Sequence, residues 1–169
     1  THITNVHPAP AAPFQPGSAP PPPAVFTGRD QDLARLKQRL PGEASPAGPQ
    51  TVIVRGGPGL GKTAVARQLA HEADLRAAFP DGVLWIPLTP HPDLLAAMAA
   101  AGRALGAPEF QQARTLEEAA ARLAELLHAR RMLILIDDAW QAEHASPFLA
   151  GGPGCAHLVT TRVTAVAER

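Results

Sequence analysis

The sequence has one cysteine, no net charge and no long apolar run, and each of these shortages excludes a class of protein. Cys155 is the only cysteine among 169 residues, which excludes a disulfide framework and favours a reducing, cytoplasmic compartment. No apolar run approaches the roughly 20 residues of a membrane-spanning helix, and the first residues lack the basic-then-apolar order of a signal peptide. Fifteen basic residues balance fifteen acidic ones, so no excess of positive charge is available for nucleic acid. We therefore expect neither a membrane nor a nucleic acid as a partner of this domain.

Lysine is also scarce, whereas proline and alanine are concentrated at the beginning of the sequence. Only Lys37 and Lys62 are lysines, a bias toward arginine that suggests a GC-rich bacterial genome. Residues 1–24 are rich in Pro and Ala. Such a stretch buries little and lacks backbone donors, so we predict an extended, partly disordered linker. A proline-rich ligand for an aromatic groove is the less favoured alternative. A linker in this position predicts a further segment upstream.

From residue 25 to residue 169, strand-like and helix-like patterns alternate. Short apolar runs, several of them rich in β-branched residues, predict strands at 51–55, 83–88, 132–136 and 158–161. Apolar residues at helical spacing predict helices around these strands, and two helices have candidate capping boxes, Thr27 with Asp30 and Thr115 with Glu118. Strands that alternate with helices indicate an α/β domain with a parallel sheet and right-handed crossovers. The length allows one such domain but hardly two.

Residues 56–63 read Gly-Gly-Pro-Gly-Leu-Gly-Lys-Thr and fit the phosphate-binding pattern G-x-x-x-x-G-K-[ST]. Glycines let the backbone curl so that successive N–H groups face phosphate oxygens, and the following helix adds the positive end of its dipole. The lysine can reach the β- and γ-phosphates, and the threonine hydroxyl can ligate Mg²⁺. The alternative, a glycine-rich turn with an incidental lysine, does not account for the position between a predicted strand and a predicted helix. We predict that this segment binds the phosphates of a purine nucleotide through Gly57, Gly59, Leu60, Gly61, Lys62, Thr63 and Ala64.

Two carboxylates, Asp137 and Asp138, directly follow the most apolar of the predicted strands. A carboxylate at the carboxyl end of a parallel strand faces the crevice where ligands bind. We predict that Asp137 holds Mg²⁺ through water and completes, with Thr63, a site of hard oxygen ligands. Asp138 is either an exposed loop acid or a carboxylate that orients the attacking water. Because Asp is one methylene shorter than the Glu that fast ATPases often use, we expect slow hydrolysis at best.

Arg162 directly follows the last predicted strand. A guanidinium in this position can make a bidentate contact with a γ-phosphate, which a diphosphate does not offer. The alternative is a surface arginine at the start of a helix. With Lys62, Asp137 and Asp138, Arg162 completes the predicted catalytic set. The two tryptophans are expected to be core or interface residues rather than base-stacking platforms.

Together these segments resemble the NB-ARC group of the STAND ATPases, which includes apoptotic protease-activating factors, plant disease-resistance proteins and bacterial regulators. The resemblance covers most of residues 24–169 in the same order, through VFTGRDQD at 25–32, GGPGLGKT at 56–63, FPDGVLW at 79–85, LILIDDAW at 133–140 and LVTTR at 158–162. It implies that Val25, Phe26 and Arg29 lie against the adenine. It also implies that Arg162 is the first sensor of the bound nucleotide.

The same resemblance implies a three-layer P-loop NTPase fold with the sheet order 5-1-4-3-2. The sequence stops before the fifth strand and before the helical and winged-helix domains of the family. We therefore expect the order 1-4-3-2, an exposed first strand and a fragment of a longer protein. Asp30 and Asp32 stand where the family motif prefers glutamates, which is a mild departure.

The function implied by the resemblance is a nucleotide-dependent switch. ADP would hold the parent protein closed, and exchange for ATP would free it to self-associate and to activate an upstream effector, with sensor repeats downstream. The physical basis is the unequal affinity of two states for the two nucleotides. Two alternatives remain, an ordinary ATPase or kinase with sustained turnover and a scaffold in which the nucleotide is a structural ligand.

Overall fold

The computed structural model describes residues 19–40 and 48–163, and its centre is a parallel sheet of four strands. The strands are β1 (Gln50–Arg55), β2 (Val83–Pro87), β3 (Leu133–Ala139) and β4 (Ala156–Thr161). Their order across the sheet is β1-β4-β3-β2, which confirms the predicted order. β3 and β4 are therefore the central strands, and their carboxyl ends lie side by side.

Helices cover both faces of this sheet. On one face lie α1 (Asp30–Arg39), α2 (Lys62–His71) and α3 (Ala73–Ala78), and on the other lie α4 (Leu94–Ala104) and α5 (Leu116–His128). A short helix, α6 (Ala142–Ala145), and 3₁₀ turns at Pro108–Gln112 and Ser146–Phe148 complete the connections. None of the helices in the two described stretches has the length and apolar character to cross a membrane.

The central strand β3 supplies side chains to both cores, because successive residues of a strand point to opposite faces. Leu133 and Leu135 pack with the core of α1, α2 and α3. Ile134 and Ile136 pack with the core of α4 and α5. Coverage on both faces explains why this strand is apolar throughout, and it confirms the predicted three-layer α/β fold.

The strands lie close to their predicted bounds, and the largest differences are at β3 and β4. β3 continues to Ala139, beyond its predicted end at residue 136, because Ala139 still pairs with Thr161 of β4. β4 begins at Ala156 rather than at residue 158, because Ala156 pairs with Leu133 on one side and Gln50 on the other. The ends of β3 and β4 are set by their pairing with neighbouring strands, which cannot be derived from the composition of one strand.

The two predicted capping boxes have different outcomes. At α5, Thr115 Oγ1 accepts a hydrogen bond from the Glu118 N–H at 3.1 Å, as predicted. The Glu118 carboxylate, however, accepts from the Arg114 N–H at 3.0 Å, one residue before the expected position. The box predicted for α1 is wrong, since the helix begins at Asp30 with no side-chain cap and Thr27 lies too far before it. Acidic residues in the first turn of α1 supply favourable charge for the helix dipole instead.

The last residues of the predicted linker contact the domain. Ala19 packs against the core of α1, α2 and α3. The Pro21 carbonyl accepts a hydrogen bond from Arg67 Nε at 2.8 Å, and the Pro20 carbonyl lies 2.9 Å from His71 Nε2. Residues 19–21 therefore lie along α2, whereas the rest of the predicted Pro-rich stretch up to residue 18 lies outside the described residues.

Strand β1 forms one edge of the described sheet, as expected, because it pairs only with β4. A largely apolar groove runs beside it, and its lining includes Thr51, Ile53, Leu116, Ala120, Leu149 and Val159. The carboxyl end of β1 leads directly into the loop at residues 56–63.

Candidate functional site

The predicted phosphate-binding loop connects the carboxyl end of β1 to the first turn of α2. Gly59 and Gly61 have φ angles of 74° and 70°, which side chains other than glycine rarely adopt. Gly61 is also the N-cap of α2, and no acidic residue lies in the first turn of that helix. The Gly56 N–H donates a hydrogen bond to the Thr161 carbonyl of β4 at 3.3 Å, which joins the loop to the central strands. The curled loop and the unneutralised positive end of α2 together suit an anion.

The Lys62 side chain folds back over this loop. Its Nζ donates hydrogen bonds to the carbonyl oxygens of Gly56 and Gly57, at 2.6 and 2.8 Å, and the residue is only 8% exposed. These partners are neutral, and among the residues that the structure describes the buried ammonium forms no ion pair with a carboxylate. The neighbouring predicted contacts are accessible to a ligand, since Leu60 is 52% exposed and Ala64 is half-buried in the first turn of α2.

The two residues predicted to hold Mg²⁺ lie in direct contact. Thr63 Oγ1 donates to the carboxylate of Asp137, 3.0 Å from Oδ1 and 3.1 Å from Oδ2. Asp137 is 8% exposed, and Thr160 Oγ1 also donates to its Oδ1 at 2.6 Å. A hydroxyl and a carboxylate that meet beside the phosphate-binding loop are hard oxygen ligands, and this donor set fits Mg²⁺. The structure thus brings Lys62, Thr63 and Asp137 together as predicted.

Asp138 is directed differently from Asp137. Within the described stretches it is the only residue other than glycine with a positive φ, 59°. It lies in a β-bulge, where three steps along β3, from Ile136 to Ala139, match two steps along β4. Its N–H donates to Thr160 Oγ1 at 2.8 Å. The bulge therefore separates the two carboxylates that are adjacent in the sequence.

Arg162 forms a cluster with Asp138 and Trp140. Its Nε donates to Asp138 Oδ1 at 2.9 Å and its Nη2 to Oδ2 at 3.3 Å. The guanidinium carbon lies 5.3 Å from the centroid of the Trp140 ring, and Trp140 Nε1 donates to Asp138 Oδ2 at 3.2 Å. The side chains of Arg162 and Asp138 are 41% and 25% exposed. Contact of Arg162 with a γ-phosphate and orientation of water by Asp138 remain predictions.

The segment predicted to lie against the adenine precedes α1. Phe26 is half-buried and packs against the core of α1, α2 and α3, whereas Val25 is 77% exposed. The guanidinium of Arg29 lies beside the loop, with its carbon 3.5 Å from the point that a Cβ on Gly61 would occupy. Its Nη1 is also 3.9 Å from Asp32. The structure brings Arg29 to the phosphate-binding loop, and the contact of this segment with adenine stays a prediction.

Sequence reasoning missed two members of this constellation, Thr160 and Trp140. Thr160 is 1% exposed and connects the Asp137 carboxylate to the Asp138 N–H through its hydroxyl. Strand alternation contained the signal, because Thr160 lies on the same face of β4 as Leu158, whose side chain packs in the core that α2 covers. Trp140 had no comparable signal, since its place depends on the bulge at Asp138.

The comparisons with known sequences agree with one family. The family model described as the NB-ARC domain matches residues 29–169. Regulatory protein AfsR of Streptomyces griseus is 40% identical over 153 residues, covering 83% of this chain and 15% of the relative. Regulatory protein AfsR of Streptomyces coelicolor is 36% identical over 165 residues, covering 92% and 16%. The chain therefore spans only 15–16% of the length of these curated relatives.

Two solved structures share the fold. Cdc6p from Pyrobaculum aerophilum has a TM-score of 0.65 at 22% identity, over 92% of this chain and 44% of its own. The Aeropyrum pernix ORC2 protein has a TM-score of 0.59 at 18% identity, over 87% of this chain and 44% of its own. At these identities the likeness concerns the fold alone, and it agrees with the parallel α/β sheet of a P-loop NTPase.

Proposed function

The chain belongs to the NB-ARC domain family, and from that premise we propose that it binds Mg–ATP and Mg–ADP as the nucleotide core of a regulatory switch. The observation that carries the proposal is the convergence of Lys62, Thr63 and Asp137 at the amino end of α2. Three features suit a polyphosphate with its metal: a buried ammonium that bonds to two neutral carbonyls, a helix whose first turn has no acidic residue, and an oxygen pair for Mg²⁺.

The chemistry of binding follows from what each group now contacts. Lys62 would exchange two neutral carbonyl oxygens for phosphate oxygens, which are charged and therefore stronger acceptors. Thr63 and Asp137 would hold the Mg²⁺, which when bound neutralises phosphate charge. Thr160 keeps the Asp137 carboxylate oriented through its hydrogen bond to Oδ1. The segment at residues 25–29 would lie against the base, with Arg29 beside the loop.

Adenine is the base we propose, and one of the two structural neighbours supports this choice. The Aeropyrum pernix ORC2 structure, which shares this fold, is described as ADPNP–ADP complexes. We also propose slow hydrolysis, because the Asp138 side chain is one methylene shorter than the Glu that fast ATPases often use to orient water. A buried free thiol such as Cys155 suits the reducing cytoplasm, where we place the protein.

The regulatory part of the proposal concerns the parent protein. ADP would hold a closed form, and exchange for ATP would permit self-association and activation of an upstream effector, under the control of downstream sensor repeats. The regulatory names of the Streptomyces relatives support a role of this kind. A nucleotide can move such an equilibrium only by its unequal affinity for the two forms, and Arg162 is the side chain we assign to recognise the γ-phosphate.

Titration calorimetry with Mg–ATP and Mg–ADP tests the binding. Lys62→Ala removes a charge-assisted contact and is expected to weaken ATP binding about 10- to 100-fold. Asp137→Ala is expected to remove the dependence of affinity on Mg²⁺. Lys37→Ala is the matched control, because Lys37 is the only other lysine and pairs with Glu72 and Asp74. Folded wild-type protein that takes up neither nucleotide would contradict the proposal.

Two further measurements separate the switch from its alternatives. Sustained phosphate release above about 1 s⁻¹ would indicate an ordinary ATPase or kinase. Equal affinities for ATP and ADP, with neither altered by Arg162→Ala, would indicate a scaffold with a structural nucleotide. A switch requires slow release together with a preference between nucleotides that Arg162→Ala reduces.

A further inference from the structure

We propose that Asp138 and Trp140 form a latch that holds the guanidinium of Arg162 until a γ-phosphate displaces it. We call this cluster of three side chains the Arg162 latch. The inference rests on the proposed nucleotide binding and goes beyond it, because it makes Asp138 a positioning residue for Arg162. It also makes the release of Arg162 a step that ATP can drive and ADP cannot.

Both oxygens of the Asp138 carboxylate are occupied in this cluster. Oδ1 accepts from Arg162 Nε at 2.9 Å, and Oδ2 accepts from Arg162 Nη2 at 3.3 Å and from Trp140 Nε1 at 3.2 Å. The Trp140 ring lies within cation–π distance of the guanidinium, at 5.3 Å. A carboxylate and an aromatic face thus act on the same cation, which is more than a lone surface ion pair provides.

The backbone around Asp138 is shaped so that this cluster can form. In a regular strand Asp138 would point away from the face of Asp137, toward the α4 and α5 side. The bulge after Ile136 and the φ of 59° redirect it, and the hydrogen bond from its N–H to Thr160 Oγ1 holds the turn. Aspartate tolerates this left-handed conformation better than most side chains. Bulges beside functional sites commonly re-aim a side chain in this way.

The latch is connected to the predicted Mg²⁺ ligand through one hydroxyl group. Thr160 Oγ1 accepts from the Asp138 N–H and donates to Asp137 Oδ1, at 2.8 and 2.6 Å. The main-chain carbonyl of Thr161, the residue before Arg162, accepts a hydrogen bond from the Gly56 N–H at the start of the phosphate-binding loop. A ligand that occupies the loop and Asp137 therefore lies next to the latch.

The charge of the nucleotide's phosphate groups decides whether it can displace Asp138 from Arg162. The latch is partly exposed, with 41% of the Arg162 side chain accessible, so solvent screens the ion pair and a stronger acceptor can replace the carboxylate. A γ-phosphate carries more charge than a carboxylate and offers the same bidentate geometry to a guanidinium. ADP has no γ-phosphate to offer. The latch is therefore expected to lower the affinity for ATP, but not for ADP, by about two- to fivefold.

A purely structural ion pair makes a different prediction, and calorimetry separates the two. Asp138→Asn is expected to raise the affinity for a non-hydrolysable ATP analogue two- to fivefold and to leave ADP unchanged. In an Arg162→Ala background the same substitution should alter neither affinity, because the pair no longer exists. Equal changes for both nucleotides, weaker binding of the analogue, or an effect that persists without Arg162 would each overturn the latch.

A matched control removes an arginine–carboxylate pair far from the loop. Glu118 accepts from Arg122 Nη2 at 2.6 Å on α5, with exposures of 40% and 34% that resemble those of the latch. Glu118→Gln should therefore change neither nucleotide affinity. A twofold or larger gain for the ATP analogue in this control would mean that the effect of Asp138→Asn is not specific, and would overturn the inference.

The fluorescence of Trp140 gives a second measurement. It should not change on nucleotide binding if Arg162 and Asp138 form only a structural ion pair. Trp85→Phe leaves Trp140 as the only tryptophan. The ATP analogue with Mg²⁺ should change its emission as Arg162 leaves the ring, and ADP should not. If Trp85→Phe does not fold, the difference between wild type and Trp140→Phe reports the same signal. Identical emission with both nucleotides, while calorimetry detects both, would overturn the latch alone; absence of all nucleotide binding would overturn the proposed function as well.

Discussion

The two ends of the central strands β3 and β4 are built from the same sheet but have opposite character. At their amino ends, the pairing from Leu133 with Ala156 to Ile136 with Val159 is regular, and the side chains are almost completely buried. At their carboxyl ends the register shifts, Asp138 takes a positive φ, and the Asp137 carboxylate accepts hydrogen bonds from the hydroxyl groups of Thr63 and Thr160. The amino ends therefore carry stability, while the carboxyl ends give up regularity to hold polar groups for a ligand.

Polar groups occur at the amino ends as well, but their partners are main-chain carbonyls and one hydroxyl group. Cys155 Sγ lies within hydrogen-bond distance of the carbonyl oxygens of Leu127 and Arg130, at 3.4 and 3.3 Å. His157 Nε2 lies 2.8 Å from the Ala150 carbonyl, and its Nδ1 lies 3.4 Å from the Thr51 hydroxyl. These partners are neutral and fixed by the fold. At the carboxyl ends the partners are charged side chains, which a charged ligand can replace. Within β3 and β4, this difference in partners separates the polar groups at the amino ends from those that we propose for ligand binding.

The largest expected effect comes from adding one methyl group near the amino end of β4. A Cβ at Gly152 would lie 1.8 Å from the His128 carbonyl oxygen, so the backbone must move. We expect Gly152→Ala to lower the free energy of unfolding by about 3 kcal/mol in urea denaturation. Gly57→Ala is the matched control in the phosphate-binding loop, where the nearest atom is Leu60 Cδ1 at 3.7 Å. A Gly152→Ala protein as stable as Gly57→Ala would contradict the close approach.

The second prediction concerns the stabilisation that a ligand adds at the carboxyl ends. A ligand at 100 times its dissociation constant stabilises the folded state by about 2.7 kcal/mol. We expect Mg–ATP to raise the melting temperature of wild type. The increase should be much smaller in Asp137→Asn, because an amide is a weak ligand for Mg²⁺. Without ligand Asp137→Asn is expected to melt at a lower temperature, because its amide nitrogen cannot accept a hydrogen bond from the Thr63 or Thr160 hydroxyl, so the quantity compared is the shift that Mg–ATP adds to each protein. An equal shift with Mg–ATP in both proteins would show that Asp137 does not hold the metal.

The same comparison shows what could be predicted from the sequence. The parallel α/β sheet and the position of the phosphate-binding loop were predictable from local patterns, namely the strand alternation and the spacing from Gly56 to Thr63. The order of the strands was implied only by the resemblance to the NB-ARC group. The contact between Thr63 and Asp137 followed from the rule that strand ends face the same crevice. The orientation of Asp138 was not predictable, because the bulge depends on the register between β3 and β4.

The capping box that was wrongly predicted for α1 also depends on how the chain enters the element. Thr27 and Asp30 have the spacing of a capping box, but the chain reaches α1 through Gly28 with φ at 74°, and the helix begins later than that spacing requires. At α5, where no such turn intervenes, Thr115 caps as predicted. Local patterns therefore predict contacts within one element better than they predict how one element enters another.

The third prediction tests the hydroxyl network directly. Thr160→Val keeps the shape of the side chain but removes the donor to Asp137 and the acceptor for the Asp138 N–H. We expect a loss of about 1–2 kcal/mol in the free energy of unfolding, measured in urea, because two polar groups lose a partner. Thr161→Val is the control, since its hydroxyl donates to the Ala139 carbonyl and not to a carboxylate. Both variants should be destabilised, but only Thr160→Val should also need more Mg²⁺ for nucleotide binding.

The smallest effect is expected at the amino ends, from the ionisation of His157. Burial lowers the pKa of His157 below its ordinary value of 6.5, so the ring stays neutral in the folded protein. The unfolded chain then binds a proton that the folded chain does not, and stability falls as pH falls through about 6.5 toward the folded pKa. One proton limits this slope to about 1.4 kcal/mol per pH unit.

Urea denaturation between pH 7 and pH 5.5 measures this slope, above the range where Glu72, whose pKa is lowered chiefly by its hydrogen bond to Lys37, begins to contribute. His157→Gln should flatten the dependence on pH, whereas the exposed His91→Gln should not. If His157→Gln fails to fold, the ring protons of His157 can be titrated by NMR in wild type. A ring that charges at or above its ordinary value would show that water or an anion reaches the amino end, and the contrast between the two strand ends would then be wrong.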